Sequence, residues 1–405
     1  MKFRKTLTKA AAVLLSAALL GALGTAEYYS SRLPSVITKE AGGELRIAEY
    51  PEISCCGTPT TGKLPSEGTR ATLSLFGAIP VKSVSVHEAE APVLAAGGDP
   101  FGIKLLMDGV MVTELSPVRT ADGKDICPAA ESGIETGDII RLADGEELTS
   151  NDQLQDIISG SKGRTIQLSV SRGNSVFSVK LTPVKSASTG AWRGGMWVRD
   201  SIAGIGTVTF INKSTGEFAG LGHPVCDSDT GELIPISSGE AVPVEITDTR
   251  PGEKGIPGEL RGKFTGTESY GLLDRNTSHG VYGILSDEAA ASLLSGRREY
   301  KMGYRQDIKT GKAFILATVK GTSPEKFSVE IEEIDYNSTD DSRNMVIHIT
   351  DPRLIEATGG IVQGMSGSPV IQDDKLIGAV THVFISDPTR GYAIFAENML
   401  SGLSR

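Results

Sequence analysis

A serine set between glycines is the residue of this chain whose surroundings best suit covalent catalysis. The run Gly364-Met365-Ser366-Gly367-Ser368-Pro369 precedes an apolar stretch. A serine nucleophile needs its Oγ exposed on a tight turn and backbone N–H groups that point at one spot. The pattern predicts Ser366 as the nucleophile, with the amides of Gly364 and Ser366 as the oxyanion hole. The alternative is a plain turn between strands, so the prediction depends on a base.

The general base has to come from one of the chain's histidines, which are His87, His223, His279, His348 and His382. We predict His223, because Gly222-His223-Pro224 follows the predicted strand 218–221, where an imidazole between small residues would face a cleft. His382 competes for this role, since Thr381-His382-Val383 lies on the strand after Ser366 and would line the substrate groove. A hydrogen-bonded structural histidine is the alternative for each.

The third member of a catalytic triad would be a carboxylate that orients the imidazole and stabilises its protonated form. We predict Asp351, which ends the predicted strand 345–350 in the domain of Ser366. Asp227 and Asp229 are closer to His223 in sequence, but their surroundings are typical of a turn. The run from Asp227 to Gly231 also resembles half of a calcium loop, although its glycine comes one place early. We predict no metal site and no cofactor.

The stretch 91–185 has the motifs of a compact module. Pro128-Ala129 is followed by Gly133-Ile134 and Gly137-Asp138-Ile139-Ile140, and a helix begins after Ser150, which has capping-box spacing to Gln153. This series resembles a PDZ domain. The resemblance implies that a groove beside this helix accepts an added peptide strand.

The same resemblance assigns a carboxylate-binding site to the start of the module, where Pro100-Phe101-Gly102-Ile103 opens a predicted strand. The amides around Phe101, Gly102 and Ile103 would bind the terminal carboxylate of a peptide, because Gly102 leaves no Cβ in the way of an anion. The alternative is a structural module in which Phe101 is a core residue.

Composition favours a mainly β protein. The chain of 405 residues carries 48 glycines and 19 prolines with only 5% aromatic residues, a mix that favours short strands and turns. Its net charge of −10 includes no basic stripe, so we expect no nucleic-acid partner. The four cysteines lack the spacing of a disulfide framework or a metal site.

The first 26 residues have the layout of an export signal. Four basic side chains precede the largely apolar stretch 10–26, and Gly24 and Ala26 have signal-peptidase spacing. A cleaved signal peptide and a retained membrane anchor both fit, and either places the remaining chain beyond one membrane. Residues 27–90 carry no strong motif.

The assembled motifs resemble the stage IV sporulation protein B peptidase family of endospore-forming bacteria. The resemblance runs from the amino-terminal segment to Leu400 and is strongest at Gly222-His223-Pro224, at 350–369 and at 378–392. It implies a trypsin-like double β-barrel over residues 186–405 and a triad of His223, Asp351 and Ser366. Trypsin-like enzymes carry the aspartate beside the histidine, whereas Asp351 is near Ser366 in sequence.

The family resemblance also implies a biological role. Members are secreted into the space between forespore and mother-cell membranes, cleave themselves near the amino terminus, and cleave a membrane-protein regulator whose loss activates processing of a sigma-factor precursor. We therefore expect an exported serine endopeptidase whose PDZ domain binds its own amino-terminal segment or a membrane-protein tail. The rival hypothesis is a non-catalytic PDZ scaffold with an inactive protease-like barrel.

Overall fold

The computed structural model describes residues 16, 20, 21, 23–40, 42–60, 69–173, 175–228, 230–265 and 269–403, with the backbone alone for 56–60. The predicted signal or anchor segment 1–26 lies largely outside these residues, as does Asp229. Residues 23–32 are helical and are called α1. Within the described ranges, no helix is long and apolar enough to cross a membrane.

Strands dominate the chain, as its composition predicts. They are β1 (Val36–Lys39), β2 (Ile53–Thr60), β3 (Thr69–Leu75), β4 (Ile79–Glu88), β5 (Val93–Ala96), β6 (Pro100–Leu115), β7 (Val118–Arg119), β8 (Asp125–Ile126), β9 (Ile139–Ala143), β10 (Glu146–Glu147), β11 (Ile166–Arg172), β12 (Ser175–Leu181), β13 (Val184–Lys185), β14 (Trp192–Arg193), β15 (Met196–Ile211), β16 (Glu217–Gly220), β17 (Ile236–Arg250), β18 (Glu259–Phe264), β19 (Gly271–Thr277), β20 (Gly280–Leu285), β21 (Glu299–Met302), β22 (Gly311–Ala317), β23 (Glu325–Ile334), β24 (Met345–Ile349), β25 (Pro369–Gln372), β26 (Lys375–Phe384) and β27 (Asp387–Phe395).

The remaining helices are short. They are α2 (Pro128–Glu131), α3 (Asn151–Gly160), α4 (Asp287–Leu294), α5 (Pro352–Thr358) and α6 (Ala396–Leu400), with a 3-10 turn at Arg305–Asp307. The Ser150 side chain caps α3 by accepting the Gln153 amide, as the capping-box spacing predicts.

Twelve of these strands form two closed rings of six antiparallel strands each. The first barrel closes in the order β6-β15-β16-β20-β19-β17 and returns to β6. The second barrel closes in the order β26-β25-β22-β23-β24-β27 and returns to β26. Alternating side chains fill both; in β23, for example, Phe327, Val329 and Ile331 are buried and their neighbours exposed.

The amino-terminal sheet, β1 to β4, lies against the second barrel. Its strand order is β1-β4-β3-β2, with β1 parallel to β4. Buried residues such as Leu73 and Val84 share one apolar core with Val329 and Ile347. Residues 36–88, for which the sequence shows no motif, therefore support the second barrel.

The central module is built from β9 to β12, α2, α3 and the neighbouring parts of two long strands. Val110 and Met111 of β6 pair with β9, while the first half of β6 belongs to the first barrel. Residues 196–199 of β15 also pair with the second half of β6. Each of the two long strands lies within one predicted domain, 91–185 for β6 and 186–405 for β15, but each serves both the module and the barrel.

A buried ion pair holds the residues that directly precede β6. Arg297 donates to both carboxylate oxygens of Asp99, with N–O distances of 2.5 and 2.6 Å, and also to the carbonyl of Gly97 at 3.1 Å. The two side chains are 16% and 9% exposed. Loss of one partner would leave a charge buried and uncompensated.

We predict that Asp99→Ala lowers the free energy of unfolding by about 3–5 kcal/mol, because Arg297 would lose its buried partner. Asp374→Ala is the matched control, since the Arg298–Asp374 pair is exposed on both sides and should contribute less than about 1 kcal/mol. Chemical denaturation of both variants measures the difference. Equal losses would contradict the assignment.

Candidate active site

His223 and Ser366 face one cleft between the two barrels. His223 follows β16 of the first barrel, and Ser366 precedes β25 of the second. Both residues line a cavity of about 470 Å³, together with Ile205, Gly364 and His382. The fold thus brings the predicted base and the predicted nucleophile to the same cavity from separate barrels.

The backbone fixes the proton on the His223 ring. Its Nδ1 lies 2.8 Å from the carbonyl oxygen of Pro224. Because a carbonyl oxygen only accepts, Nδ1 carries the proton and Nε2 keeps its lone pair. Burial lowers the pKa of His223, and the hydrogen bond to Pro224 opposes this only in part. The imidazole is therefore neutral at physiological pH, with Nε2 available as a base.

Strand β15 holds the turn that carries Ser366. The Thr207 amide donates to the carbonyl of Ser366 at 2.9 Å, and Thr207 Oγ1 donates to the carbonyl of Gly364 at 2.8 Å. Gly367 has a φ of +97°, and a Cβ there would lie 2.0 Å from the Thr207 oxygen. Only glycine allows this approach. Sequence reasoning missed Thr207, since a threonine in an alternating strand carries no distinguishing signal.

The hydroxyl of Ser366 is hydrogen-bonded away from the base. Its Oγ donates to the carbonyl oxygen of Thr381 at 2.8 Å. In the described part of the chain, the amides of Gly364 and Ser366 donate to no protein oxygen, while Met365 between them donates to Val362. Two donors in the nucleophile loop are thus unused by the protein, as an oxyanion hole requires.

His382 lies against His223. The two ring centroids are 5.0 Å apart at 39°, and both rings line the cleft. Burial, together with the neighbouring His223 and Arg343, lowers the pKa of His382 to about 4. Its Nδ1 is buried and has no hydrogen-bond partner among the described residues. His382 is therefore a neutral wall of the cleft beside the base.

Asp351 does not line this cleft. It is the N-cap of α5, where its Oδ1 accepts the Arg353 amide at 3.0 Å and its Oδ2 accepts the Ser328 amide at 3.2 Å. The Arg353 guanidinium also contacts both carboxylate oxygens. These contacts, led by Arg353, lower the pKa of Asp351 from 3.8 to about 2. The structure thus brings together two of the three predicted triad residues.

The other titratable candidates have structural partners. Asp227 is buried, pairs with Arg199, and accepts the Thr230 amide at 3.0 Å. His348 lies 3.3 Å from Glu332. Within the described residues, no group of three His, Cys, Asp or Glu side chains is placed to hold a metal ion.

The predicted carboxylate-binding site at Phe101, Gly102 and Ile103 is corrected by the structure. These residues lie inside β6 and pair with β15 on one edge and with β17 on the other. Phe101 is fully buried and packs edge-to-face on Phe218, with the centroids 6.0 Å apart. The predicted strand at 100–103 is present, but a strand paired on both edges has no free edge for a peptide.

Comparison with known proteins gives two family matches. The model of SpoIVB peptidase S55 matches residues 190–400, and the model of the PDZ domain matches residues 101–182. No curated protein matches the chain. Among solved structures, the PDZ domain of the SdrC-like protein from Listeria monocytogenes is 23% identical, over 22% of this chain and 87% of that one, with a TM-score of 0.19.

We predict that Asp351→Asn lowers the free energy of unfolding but has little effect on the reactivity of Ser366. An asparagine keeps part of the helix cap but loses the charge that Arg353 and two amides stabilise, which should cost about 1–2 kcal/mol. The carboxylate's contribution is fully present above pH 3.8 and is lost as the pH falls toward 2. Acid unfolding of the variant should therefore be less steep than that of the parent chain.

The second readout for Asp351→Asn is the rate at which a fluorophosphonate reagent labels the chain. We expect a change of less than about tenfold, because the carboxylate contacts neither His223 nor Ser366 here. A loss of about 10⁴-fold in the labelling rate with unchanged stability would instead show that Asp351 orients His223 and stabilises its imidazolium in the reacting state.

The pH dependence of this labelling should report on His223. Because burial lowers its pKa, the base form persists below the ordinary value of 6.5. We expect the acid limb of the rate profile to lie below pH 6.5, and to disappear with the activity in His223→Ala. A limb at or above pH 6.5 would contradict the buried, neutral imidazole.

Proposed function

The chain belongs to the SpoIVB peptidase S55 family, and on this premise we propose that it is an active serine endopeptidase with Ser366 as nucleophile and His223 as general base. The observation that supports the proposal most is that these two residues meet in one cleft although they come from different barrels. The pair of six-stranded rings is the arrangement expected of a trypsin-like double barrel.

In the proposed reaction, the Ser366 hydroxyl rotates from the Thr381 carbonyl toward Nε2 of His223. The histidine takes the proton as Oγ attacks the scissile carbonyl, and the amides of Gly364 and Ser366 stabilise the oxyanion. The imidazolium then protonates the leaving amine, and water hydrolyses the acyl-enzyme with His223 again as the base. The rotation moves the hydroxyl between staggered positions of one side chain.

Asp351 is the carboxylate that the family resemblance implies for orienting His223. In the geometry described above, Asp351 caps α5. To stabilise the His223 imidazolium, it would have to break its contacts with Arg353 and the Ser328 amide. In the ground state, the carbonyl of Pro224 takes over the orienting role.

We further propose the family's biological role for this chain. The chain would be exported across the cytoplasmic membrane into the space between forespore and mother cell, and its amino-terminal helix would be a membrane anchor if uncleaved. Its substrates would be its own amino-terminal segment and the extracytoplasmic part of a membrane-protein regulator of sigma-factor processing. The basic and apolar pattern of residues 2–26 supports the export.

One observation favours the rival scaffold function. The Ser366 hydroxyl is bonded to Thr381 and not to the base, and Asp351 lies outside the cleft. A protein fixed in this state would bind peptides without cleaving them, and reactivity at Ser366 separates the two functions.

The test compares two serines of the same loop in the full chain. Ser366 lines the cleft, whereas Ser368 is fully buried. We expect fluorophosphonate labelling and amino-terminal trimming, followed by mass spectrometry, in the parent chain and in Ser368→Ala. Ser366→Ala should show neither, and His223→Ala should lose at least about 10³-fold in labelling rate.

Each outcome assigns a function. Trimming of Ser366→Ala at the parent rate would exclude Ser366 as the nucleophile. Absence of labelling and trimming in every chain, with the fold intact by circular dichroism, would favour the scaffold.

A further inference from the structure

The hairpin between β3 and β4 ends in an exposed apolar tip. Leu75 pairs with Ile79, and residues 76–80, called the hairpin tip here, are all exposed. The exposed fraction is 76% for Phe76 and 37% for Ile79. An apolar side chain left in water forgoes the free energy that its burial would give. The residues of the tip do not line the catalytic cleft, so peptide hydrolysis does not explain their exposure.

The backbone of the hairpin tip does not favour a phenylalanine. Phe76 and Gly77 are the central residues of a turn that is closed by the Ala78 amide, which donates to the Leu75 carbonyl at 3.1 Å. Their φ angles are +51° and +69°. Turns with two positive φ angles favour asparagine followed by glycine, and a bulky side chain at positive φ is strained. The turn therefore gains nothing from Phe76, which indicates that this side chain serves a contact outside the folded chain.

Helix α1 ends beside the hairpin tip. The Phe76 amide donates to the carbonyl of Glu52 at 2.9 Å, and the Glu52 carboxylate accepts the Tyr29 hydroxyl at 2.6 Å. The Lys82 ammonium of β4 donates to the carbonyl of Leu33, which directly follows α1, at 2.5 Å. Leu33 itself is fully buried. These hydrogen bonds fix the end of α1 relative to the hairpin tip.

The other end of α1 leads to the apolar stretch 10–26, which the sequence predicts to be a signal peptide or an anchor. Ala26 and Tyr29 are three residues apart, which is about 4.5 Å along a helix. The headgroup layer on each face of a bilayer is about 5–8 Å thick. If the stretch 10–26 stays in the membrane, Tyr29 and the hairpin tip beside it are therefore within reach of that layer.

The side chains around the hairpin tip suit a headgroup layer. Tyr28 of α1 is 53% exposed and packs edge-to-face on Tyr29, with the ring centroids 5.3 Å apart. Tyrosine is enriched at membrane interfaces, because its ring is apolar and its hydroxyl is polar. Although the whole chain has a net charge of −10, residues 71–87 include no Asp or Glu and contain Lys82. A hairpin of this composition is not repelled by anionic headgroups.

We propose that the hairpin tip, together with Tyr28, binds the headgroup layer of a lipid bilayer. Phe76 and Ile79 insert at the boundary between headgroups and acyl chains, where an aromatic and an aliphatic side chain leave water. This contact is separate from the amino-terminal segment and does not depend on the proposed peptidase activity. The sheet β1 to β4 shares its core with the second barrel, so the contact holds that barrel at a fixed orientation to the membrane.

The test uses the full chain in vesicles of phosphatidylethanolamine and phosphatidylglycerol, with lipids brominated on their acyl chains as the quencher. Phe76→Trp reports from the tip, and Val176→Trp, at a residue 68% exposed in the β11–β12 hairpin, is the matched control. The parent chain gives the background of Trp192 and Trp197. We expect at least about twofold quenching of the added fluorescence in Phe76→Trp, since interfacial side chains lie about 5–10 Å into the headgroup and acyl boundary. Absence of quenching there, or equal quenching in Val176→Trp, would overturn the proposal.

A second pair of variants separates lipid affinity of the tip from its tethering by the amino-terminal segment. In the Phe76→Trp chain, Ile79→Asp places a charge in the hairpin tip and should restore the fluorescence. Leu233→Asp, at a residue 43% exposed in the first barrel's loop after β16, should leave the quenching unchanged. Quenching that survives Ile79→Asp would show that the amino-terminal segment alone brings the tip to lipid, and would refute binding by the tip.

The turn allows an independent check that a structural role would fail. Phe76→Asn introduces the residue that a turn with two positive φ angles favours. We therefore expect the midpoint of chemical denaturation of the full chain to be unchanged or higher in this variant. A lower midpoint would show that Phe76 stabilises the fold, and would contradict a side chain whose contact is with lipid.

Discussion

The backbone of Thr207 lies so close to the loop that carries Ser366 that only glycine fits at position 367. The Thr207 amide and hydroxyl also donate hydrogen bonds to carbonyls of this loop. These contacts fix Ser366 relative to the first barrel. His223 belongs to that same barrel. The distance between base and nucleophile therefore depends on a backbone contact more than on any pair of catalytic side chains.

The strand that carries Thr207 belongs to three structures at once. Strand β15 closes the first barrel, holds the nucleophile loop, and supplies one wall of a groove beside α3 in the PDZ domain. A shared strand transmits displacement in a way that a flexible linker does not, because residues 196–199 and 201–207 pair with β6. Between β12 and β15, the short strands β13 and β14 pair with each other.

Much of this architecture could be predicted from local pattern. The glycine-serine turn, the Gly-His-Pro sequence and the alternating strands are local signals, and the structure brings His223 and Ser366 together. The helix after Ser150 was predictable for the same reason, since its cap and its apolar period are local. Mainly β structure with a PDZ domain follows from the same motifs.

The errors came from residues whose role depends on distant partners. Phe101-Gly102-Ile103 has the composition of a peptide-binding segment and of a barrel strand alike, and its pairing with β15 and β17, both more than a hundred residues later, makes it a barrel strand. The place of Asp351 at the start of α5 has a local signal as well, since aspartate followed by proline is typical of a helix start.

The histidine shows how the site separates two tasks that a triad carboxylate combines. The Pro224 carbonyl holds the tautomer that leaves Nε2 free, but it carries no full charge and stabilises an imidazolium less than a carboxylate does. Burial lowers the pKa of His223, and the hydrogen bond to the Pro224 carbonyl offsets this only in part. In the ground state the imidazole is therefore oriented as a base, but the protein does little to stabilise the imidazolium that proton transfer would produce.

Proton transfer in such a site would be favoured most by a small displacement that brings negative charge to Nδ1 or frees the Ser366 hydroxyl from Thr381. Strand β15, bonded to both catalytic loops, is the element through which such a displacement would reach them.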